Sequence, residues 1–134
     1  MTILVHCSDP RVVKLLSDIK IAKNLSIDDP YHAVIANTGS IKYFMYNNMV
    51  ESFTEQLEIL AGHFKADKIV LLNHTDCGYY KSIGQNKTEN YTNDLMNMKF
   101  ILRRREEGEE KREKRRGLLR ESWSLSKSCN TLLY

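Results

Sequence analysis

The sequence lacks an apolar run long enough to cross a membrane, so we expect no membrane association. It has only three cysteines, and this small odd number argues against a disulfide framework. No signal peptide is visible, because residues 2–6 already predict a strand, and we expect a cytoplasmic protein with reduced thiols. The net charge of +3 is too small to indicate a nucleic-acid partner. Any function must therefore come from particular residues rather than from overall composition.

The chain is long enough for one domain with a real core, since 42% of its 134 residues are hydrophobic. Its charge is uneven, because every residue from Arg103 to Arg116 except Gly108 is charged. We predict a globular domain at residues 1–102 and a charged helical extension or tail at 103–134. Such runs usually form a solvated surface. Contact with RNA or another anionic partner is the alternative, but no aromatic residues are interleaved to support base stacking.

Strand and helix signals alternate along the first hundred residues. Apolar runs predict strands at residues 2–6, 32–36 and 68–72. Helical spacing of apolar residues predicts helices from Pro10 through Ile19, from Tyr46 to Phe64, from Cys77 or Gly78 to Gly84, and from about Asn93. This alternation predicts an α/β fold with right-handed crossovers, a three-layer sandwich around a mostly parallel sheet. A central first strand gives the order 2-1-3.

Potential metal ligands follow two of these strands. Cys7 ends the first strand, and His74 and Cys77 follow the third. The carboxyl ends of neighbouring parallel strands meet at one edge, where ligands bind in open α/β sheets. Each residue alone is more often structural, but the joint pattern predicts one site. Thiolate and imidazole ligands favour Zn²⁺, and three protein ligands leave one coordination position open, as in catalytic zinc sites.

Two charged residues near Cys7 allow two interpretations. Asp9 stands before Pro10, which is typical of a helix N-cap, and Arg11 would then be an ordinary solvated residue. The alternative pairs Arg11 with Asp9 beside the metal. The Asp9 carboxylate would then accept a hydrogen bond from zinc-bound hydroxide, or would occupy the open coordination position itself.

Taken together, these motifs resemble those of the β-class carbonic anhydrases. The resemblance covers about residues 2 to 84 and is carried by Cys7-x-Asp9-x-Arg11, Asn37-x-Gly39 and His74-x-x-Cys77-Gly78. It implies a zinc ion held by Cys7, His74 and Cys77, and a catalytic dyad of Asp9 and Arg11. It also implies the sheet order 2-1-3-4 and a homodimer or higher homo-oligomer. Residues 123–125 and 131–134 are the candidates for the fourth strand.

The activity that the resemblance implies is the reversible hydration of carbon dioxide to bicarbonate by zinc-bound hydroxide. One alternative keeps the fold and the zinc site but acts on carbonyl sulfide or carbon disulfide. Another is a non-catalytic, zinc-stabilised or redox-sensing module, whose mark would be Asp9 as the fourth metal ligand. Three histidines, His6, His32 and His63, are available as proton shuttles, but a structural or solvated role is favoured for each.

Overall fold

The computed structural model describes residues 1–25, 27, 32–116 and 129–134 of the chain. Four strands form one all-parallel sheet in the order β2-β1-β3-β4. They are β1 Thr2–Cys7, β2 Ala33–Asn37, β3 Lys68–Asn73 and β4 Cys129–Leu133. The predicted α/β class and the strand order 2-1-3-4 are therefore confirmed.

The two central strands carry the residues that matter most for function. β1 and β3 are adjacent and almost wholly buried, which is why both have near-continuous apolar sequences rather than alternating ones. Val5 pairs with Leu71. Both strands end two residues later, at Cys7 and Asn73, so the segments that follow them start side by side at one edge of the sheet.

Helices cover both faces of the sheet. The described residues form the helices α1 Pro10–Leu16, α2 Ile19–Asn24, α3 Ile41–Tyr46, α4 Val50–Phe64, α5 Gly78–Ser82 and α6 Thr88–Arg116. On one face, β1 and β3 residues such as Ile3 and Leu71 pack in a cluster with residues of α4 and α6. On the other face, Leu4 and Val70 pack against Leu25, at the end of α2. This arrangement agrees with the predicted three layers.

The predicted helix from Pro10 through Ile19 is wrong in its extent, because two helices occupy this stretch. The carboxylate of Asp18 accepts hydrogen bonds from the backbone N–H groups of Lys20, at 2.8 Å, and Ile21, at 3.3 Å, and so begins α2. Ile19 is 72% exposed rather than part of a buried face. The Asp18 cap starts a new helix here, although the spacing of apolar residues predicted a single continuous one.

The predicted helix from Tyr46 to Phe64 is also divided. α3 ends at Tyr46, Asn48 adopts a φ of 53°, and α4 begins at Val50. Asparagine tolerates this left-handed conformation better than most residues, so the chain can turn between the two helices. The last helix begins at Thr88 instead of about Asn93.

The charged run continues a helix of the globular part. α6 extends from Thr88 to Arg116 and crosses the predicted domain boundary at residue 102 without a break. β4 then pairs with β3, with Cys129 opposite Ile69, so the strand predicted at 131–134 is part of the sheet. The other candidate strand, 123–125, lies outside the described residues. The division at residue 102 stays a prediction.

Among the residues that the structure describes, no helix combines the length and the apolar character that a membrane crossing requires.

Candidate metal centre

The structure brings the three predicted ligands together at the edge of the sheet. Cys7 is the last residue of β1, His74 directly follows β3, and Cys77 is the residue before α5. Their potential ligand atoms all lie within 4.8 Å of one another, and all three residues are buried. Residues 67 positions apart in the sequence meet because β1 and β3 are neighbours in a parallel sheet.

The separation of the two sulfur atoms suits a shared metal ion. Sγ of Cys7 lies 3.9 Å from Sγ of Cys77. A tetrahedral ion with metal–sulfur bonds of about 2.3 Å would hold two sulfurs about 3.8 Å apart, whereas a disulfide requires about 2.05 Å. All three cysteines lie in the described part of the chain, and all three are free thiols. The pair is therefore spaced for metal coordination and is not bonded.

One ring nitrogen of His74 has no hydrogen-bond partner among the residues that the structure describes. Its Nδ1 lies 2.9 Å from the carbonyl oxygen of Thr75, which favours a proton on Nδ1 and a free lone pair on Nε2. Nε2 is buried and has no hydrogen bond within the described part of the chain. Buried polar atoms without partners are rare and call for an explanation such as an ion. A backbone carbonyl on the other ring nitrogen is also the usual arrangement of a metal-binding histidine.

The two thiols differ in how readily they ionise. A hydrogen bond from Cys77 lowers the pKa of Cys7 well below its usual value, helped by the backbone N–H of Asp9, while burial opposes this shift. The neighbouring sulfur of Cys7 and burial raise the pKa of Cys77. Without a cation the pair favours a single thiolate. A bound cation offsets the repulsion between two negatively charged sulfurs, so that the second thiol can also ionise. The thiols are therefore suited to bind a metal with release of protons.

The Asn37-x-Gly39 motif shapes the wall beside Cys7. The carbonyl oxygen of Asn37, at the end of β2, accepts a hydrogen bond of 3.1 Å from the N–H of Ser8. Gly39 adopts a φ of +74°, and its backbone N–H contributes to lowering the pKa of Cys7. A Cβ at Gly39 would clash with Cδ1 of Tyr79. Glycine is therefore required here both by conformation and by space.

This dual requirement predicts a clear loss of stability for Gly39→Ala. We expect a decrease of about 2–4 kcal/mol in the free energy of unfolding, from the strained backbone together with the contact with Tyr79. Urea denaturation of the metal-free protein measures it. Gly84→Ala is a matched control, because Gly84 has a similar φ of +71° but no atom within 4 Å of its Cβ position. Equal losses in the two variants would contradict the role of the Tyr79 contact.

Asp9 is both the N-cap of α1 and the partner of the Arg11 side chain. Its Oδ1 accepts a hydrogen bond of 2.8 Å from the backbone N–H of Arg11, as a helix cap does. Nη2 of Arg11 also lies 2.7 Å from Oδ2 of Asp9, and Nε lies 3.2 Å from both oxygens. These bonds from Arg11 lower the pKa of Asp9 to about 2. Asp9 is consequently ionised throughout the neutral range and acts purely as an acceptor.

Arg11 also joins the two segments that carry the ligands. Its Nη2 donates to the carbonyl oxygen of Asp76, at 2.9 Å, and its Nη1 donates to Oδ2 of Asp76, at 3.1 Å. Lys81 forms an ion pair with the same carboxylate. Asp76 and Lys81 were missed by sequence reasoning, although Asp76 lies within the His74-x-x-Cys77 spacer. Arg11 therefore holds the segment after β1 against the segment after β3.

The Asp9–Arg11 pair lies beside the potential ligands. Oδ2 of Asp9 is 3.9 Å from Nε2 of His74, which is too long for a hydrogen bond but places the carboxylate next to the cluster. Of the candidate proton shuttles, His6 is buried, with Nδ1 2.7 Å from the carbonyl oxygen of Cys7. This contact agrees with the structural role that the sequence favoured for His6.

Comparisons of the chain with family models, with curated proteins and with solved structures found no match. A functional interpretation therefore depends on the sequence motifs and on the geometry of this centre.

Proposed function

We propose that the chain is a zinc-dependent enzyme of the β-class carbonic anhydrase type, which hydrates carbon dioxide reversibly to bicarbonate. The observation that carries the proposal is the cluster of two thiols and one imidazole nitrogen, which has no hydrogen bond in the described part of the chain, with an arginine-bound carboxylate beside it. The sheet order β2-β1-β3-β4 is the order that the resemblance implies. A homodimer or higher homo-oligomer and a cytoplasmic location belong to the same proposal.

The residues present fit a zinc ion. Cys7, His74 and Cys77 would hold it through two sulfurs and Nε2, a soft donor set that favours zinc over magnesium or calcium. Three protein ligands leave the fourth position of a tetrahedral ion open. A zinc ion in such a site lowers the pKa of water and supplies a nucleophile near neutral pH. The overall reaction converts carbon dioxide and water into bicarbonate and one proton, which leaves to buffer.

Asp9 would orient the nucleophile. Because its carboxylate is ionised at neutral pH, it can accept a hydrogen bond from a hydroxyl group but cannot donate one. Arg11 binds both carboxylate oxygens and so fixes the direction in which Asp9 accepts. Orientation of a reacting group by a fixed acceptor is an ordinary contribution to catalysis.

The same pair favours a catalytic site over a non-catalytic one. In a closed, purely structural site Asp9 would serve as the fourth ligand. To do so it would have to give up contacts with Arg11 that include a charge-assisted bond of 2.7 Å. A structural site has no need of a carboxylate held in this way beside its ligands. The pairing therefore supports the enzyme.

The test is stopped-flow measurement of carbon dioxide hydration on protein whose zinc content is assayed in the same batch. We expect about one zinc ion per chain and turnover that rises from neutral to alkaline pH, because hydration requires a deprotonated water. Carbonyl sulfide hydrolysis is measured in parallel. Stoichiometric zinc without carbon dioxide turnover at any pH would overturn the proposed activity. Turnover of carbonyl sulfide alone would replace the substrate while retaining the metal site.

A further inference from the structure

Tyr91 contacts both ends of the segment that carries two of the potential ligands. It lies in the first turn of α6 and is 1% exposed. Its hydroxyl oxygen accepts a hydrogen bond of 3.1 Å from the backbone N–H of Cys77. Its carbonyl oxygen accepts one of 3.1 Å from Nδ2 of Asn73, the residue before His74. Tyr91, a buried residue of a different helix, thus contacts the chain at both ends of the His74–Cys77 segment.

Tyr91 is itself held from two directions. Its hydroxyl donates to Oδ1 of Asn86, an exposed residue in the connection between α5 and α6. Its ring packs on the ring of Tyr80, with centroids 4.2 Å apart. The hydroxyl proton therefore already has an acceptor in Asn86, and an oxygen lone pair accepts the hydrogen bond from the N–H of Cys77. This arrangement leaves the Tyr91 hydroxyl little freedom to turn away.

A buried network of hydrogen bonds supports the contact between Asn73 and Tyr91. Nδ2 of Asn73 also donates to the hydroxyl of Tyr80, at 3.2 Å, which in turn donates to Oδ2 of Asp94, at 2.8 Å. Asp94 forms an ion pair of 3.0 Å with Lys42 from α3. Buried networks whose members are paired hold one geometry firmly. The Asn73 end of the ligand segment is thus connected to α3 and α6.

The segment needs such external support. Asp76 has a φ of 57°, and α5, which follows Cys77, has five residues. A helix of this length is not stable by itself in water. Within the described part of the chain, the backbone N–H of Cys77 has no contact with its own helix, because Cys77 is the N-cap residue. The Tyr91 hydroxyl provides that group with its acceptor, and the backbone of Cys77 determines where its sulfur points.

We propose that Tyr91 is a positioning residue of the metal centre, whose hydroxyl holds the Cys77 backbone and thereby sets the affinity for the metal ion. The inference rests on the proposed metal site and extends it to a residue outside the ligand set. Partners that orient metal ligands typically change metal affinity when they are removed.

The test compares Tyr91→Phe with Tyr80→Phe. Both variants remove one buried hydroxyl and retain the contact between the two rings, but only the Tyr91 hydroxyl contacts Cys77. Zinc affinity is measured by competition with a chelator, and the absorption of the Co²⁺-loaded protein reports the cobalt–thiolate geometry. Thermal unfolding of the metal-free proteins measures stability separately.

We expect Tyr91→Phe to weaken zinc binding about 10-fold or more and to alter the cobalt–thiolate band. Tyr80→Phe is expected to lower the unfolding temperature with a smaller change in zinc affinity.

Asn86→Ala gives a second, gentler variant in case Tyr91→Phe fails to fold. It removes the acceptor of the Tyr91 hydroxyl from an exposed position and leaves the core intact. We expect a smaller loss of zinc affinity in the same direction.

Three outcomes would overturn the inference. Wild-type zinc affinity and an unchanged cobalt spectrum in Tyr91→Phe, or in Asn86→Ala if only that variant folds, would remove the Tyr91 hydroxyl from the centre. Equal losses of affinity in Tyr91→Phe and Tyr80→Phe would assign the effect to the network as a whole. Failure of the wild-type protein to bind either metal would overturn the proposed metal site, and the inference with it.

Discussion

Cys77→Ser is expected to lose most of the bound zinc. A serine hydroxyl does not ionise near neutral pH and is a much poorer ligand for a borderline-soft ion than a thiolate. Zinc peptides with four ligands bind with about 10–16 kcal/mol, or roughly 2.5–4 kcal/mol per ligand. Removing one ligand should therefore weaken binding by roughly two to three orders of magnitude. Metal analysis after dialysis, together with chelator competition, measures the loss.

Cys129→Ser is the matched control for this variant. Cys129 is a buried thiol in β4 whose pKa is raised to about 11 by burial, and it does not belong to the cluster of potential ligands. The same chemical substitution there should leave zinc content unchanged. Circular dichroism of both variants establishes that each is folded. Stoichiometric zinc in Cys77→Ser would exclude Cys77 from the site.

Arg11→Ala is expected to retain zinc and to hydrate carbon dioxide more slowly. Arg11 is not a candidate ligand, but it binds both oxygens of Asp9 and the backbone of Asp76. Without it the carboxylate is free to rotate away from the direction in which it accepts. Loss of such an outer partner typically costs about 10–100-fold in activity. Stopped-flow kinetics on batches of known zinc content measure kcat/KM for wild type and variant.

The pH dependence of this loss distinguishes a loss of Asp9 orientation from a loss of Asp9 ionisation. Arg11 holds the pKa of Asp9 at about 2, so removing Arg11 lets that pKa rise towards its ordinary value of 3.8. Asp9 then still remains ionised at neutral pH. The activity of Arg11→Ala should therefore be reduced by a similar factor from neutral to alkaline pH, because orientation and not ionisation is lost.

Lys14→Ala is the control for charge, since Lys14 is an exposed cation on the same helix, α1. It should retain wild-type turnover. Turnover in Arg11→Ala equal to that of wild type would remove the Asp9–Arg11 pair from the mechanism.

The sheet could be predicted from sequence because its signals are strong and local. β1 and β3 are buried on both faces, so their apolar runs mark them clearly, and the intervening helices require parallel pairing. Helix boundaries were less predictable. The Asp18 cap and the left-handed Asn48 interrupt apolar patterns that continue past them, because a few local hydrogen bonds and φ angles decide where a helix ends.

The potential ligands could be predicted for the same reason as the strands that they follow. Once β1 and β3 are neighbours, Cys7 must lie close to the segment that begins with His74. The contact between Cys77 and Tyr91 could not be predicted, because it depends on how α6 is placed relative to the ligand segment. Tyr91 is 14 residues from Cys77 and on another helix, and the sequence carries no signal that its hydroxyl faces the Cys77 backbone.

By itself, the sequence determined the α/β class, the neighbouring positions of β1 and β3 and the set of donor atoms at their ends, since these follow from hydrophobic pattern and residue type. Only the tertiary structure decided how those atoms are held. These properties come from packing: the 3.9 Å between the two sulfurs, the lack of a hydrogen bond to Nε2 of His74 among the described residues, and the bonds of Arg11 to both Asp9 and Asp76. Such contacts depend on the relative placement of whole elements, which no single stretch of sequence specifies.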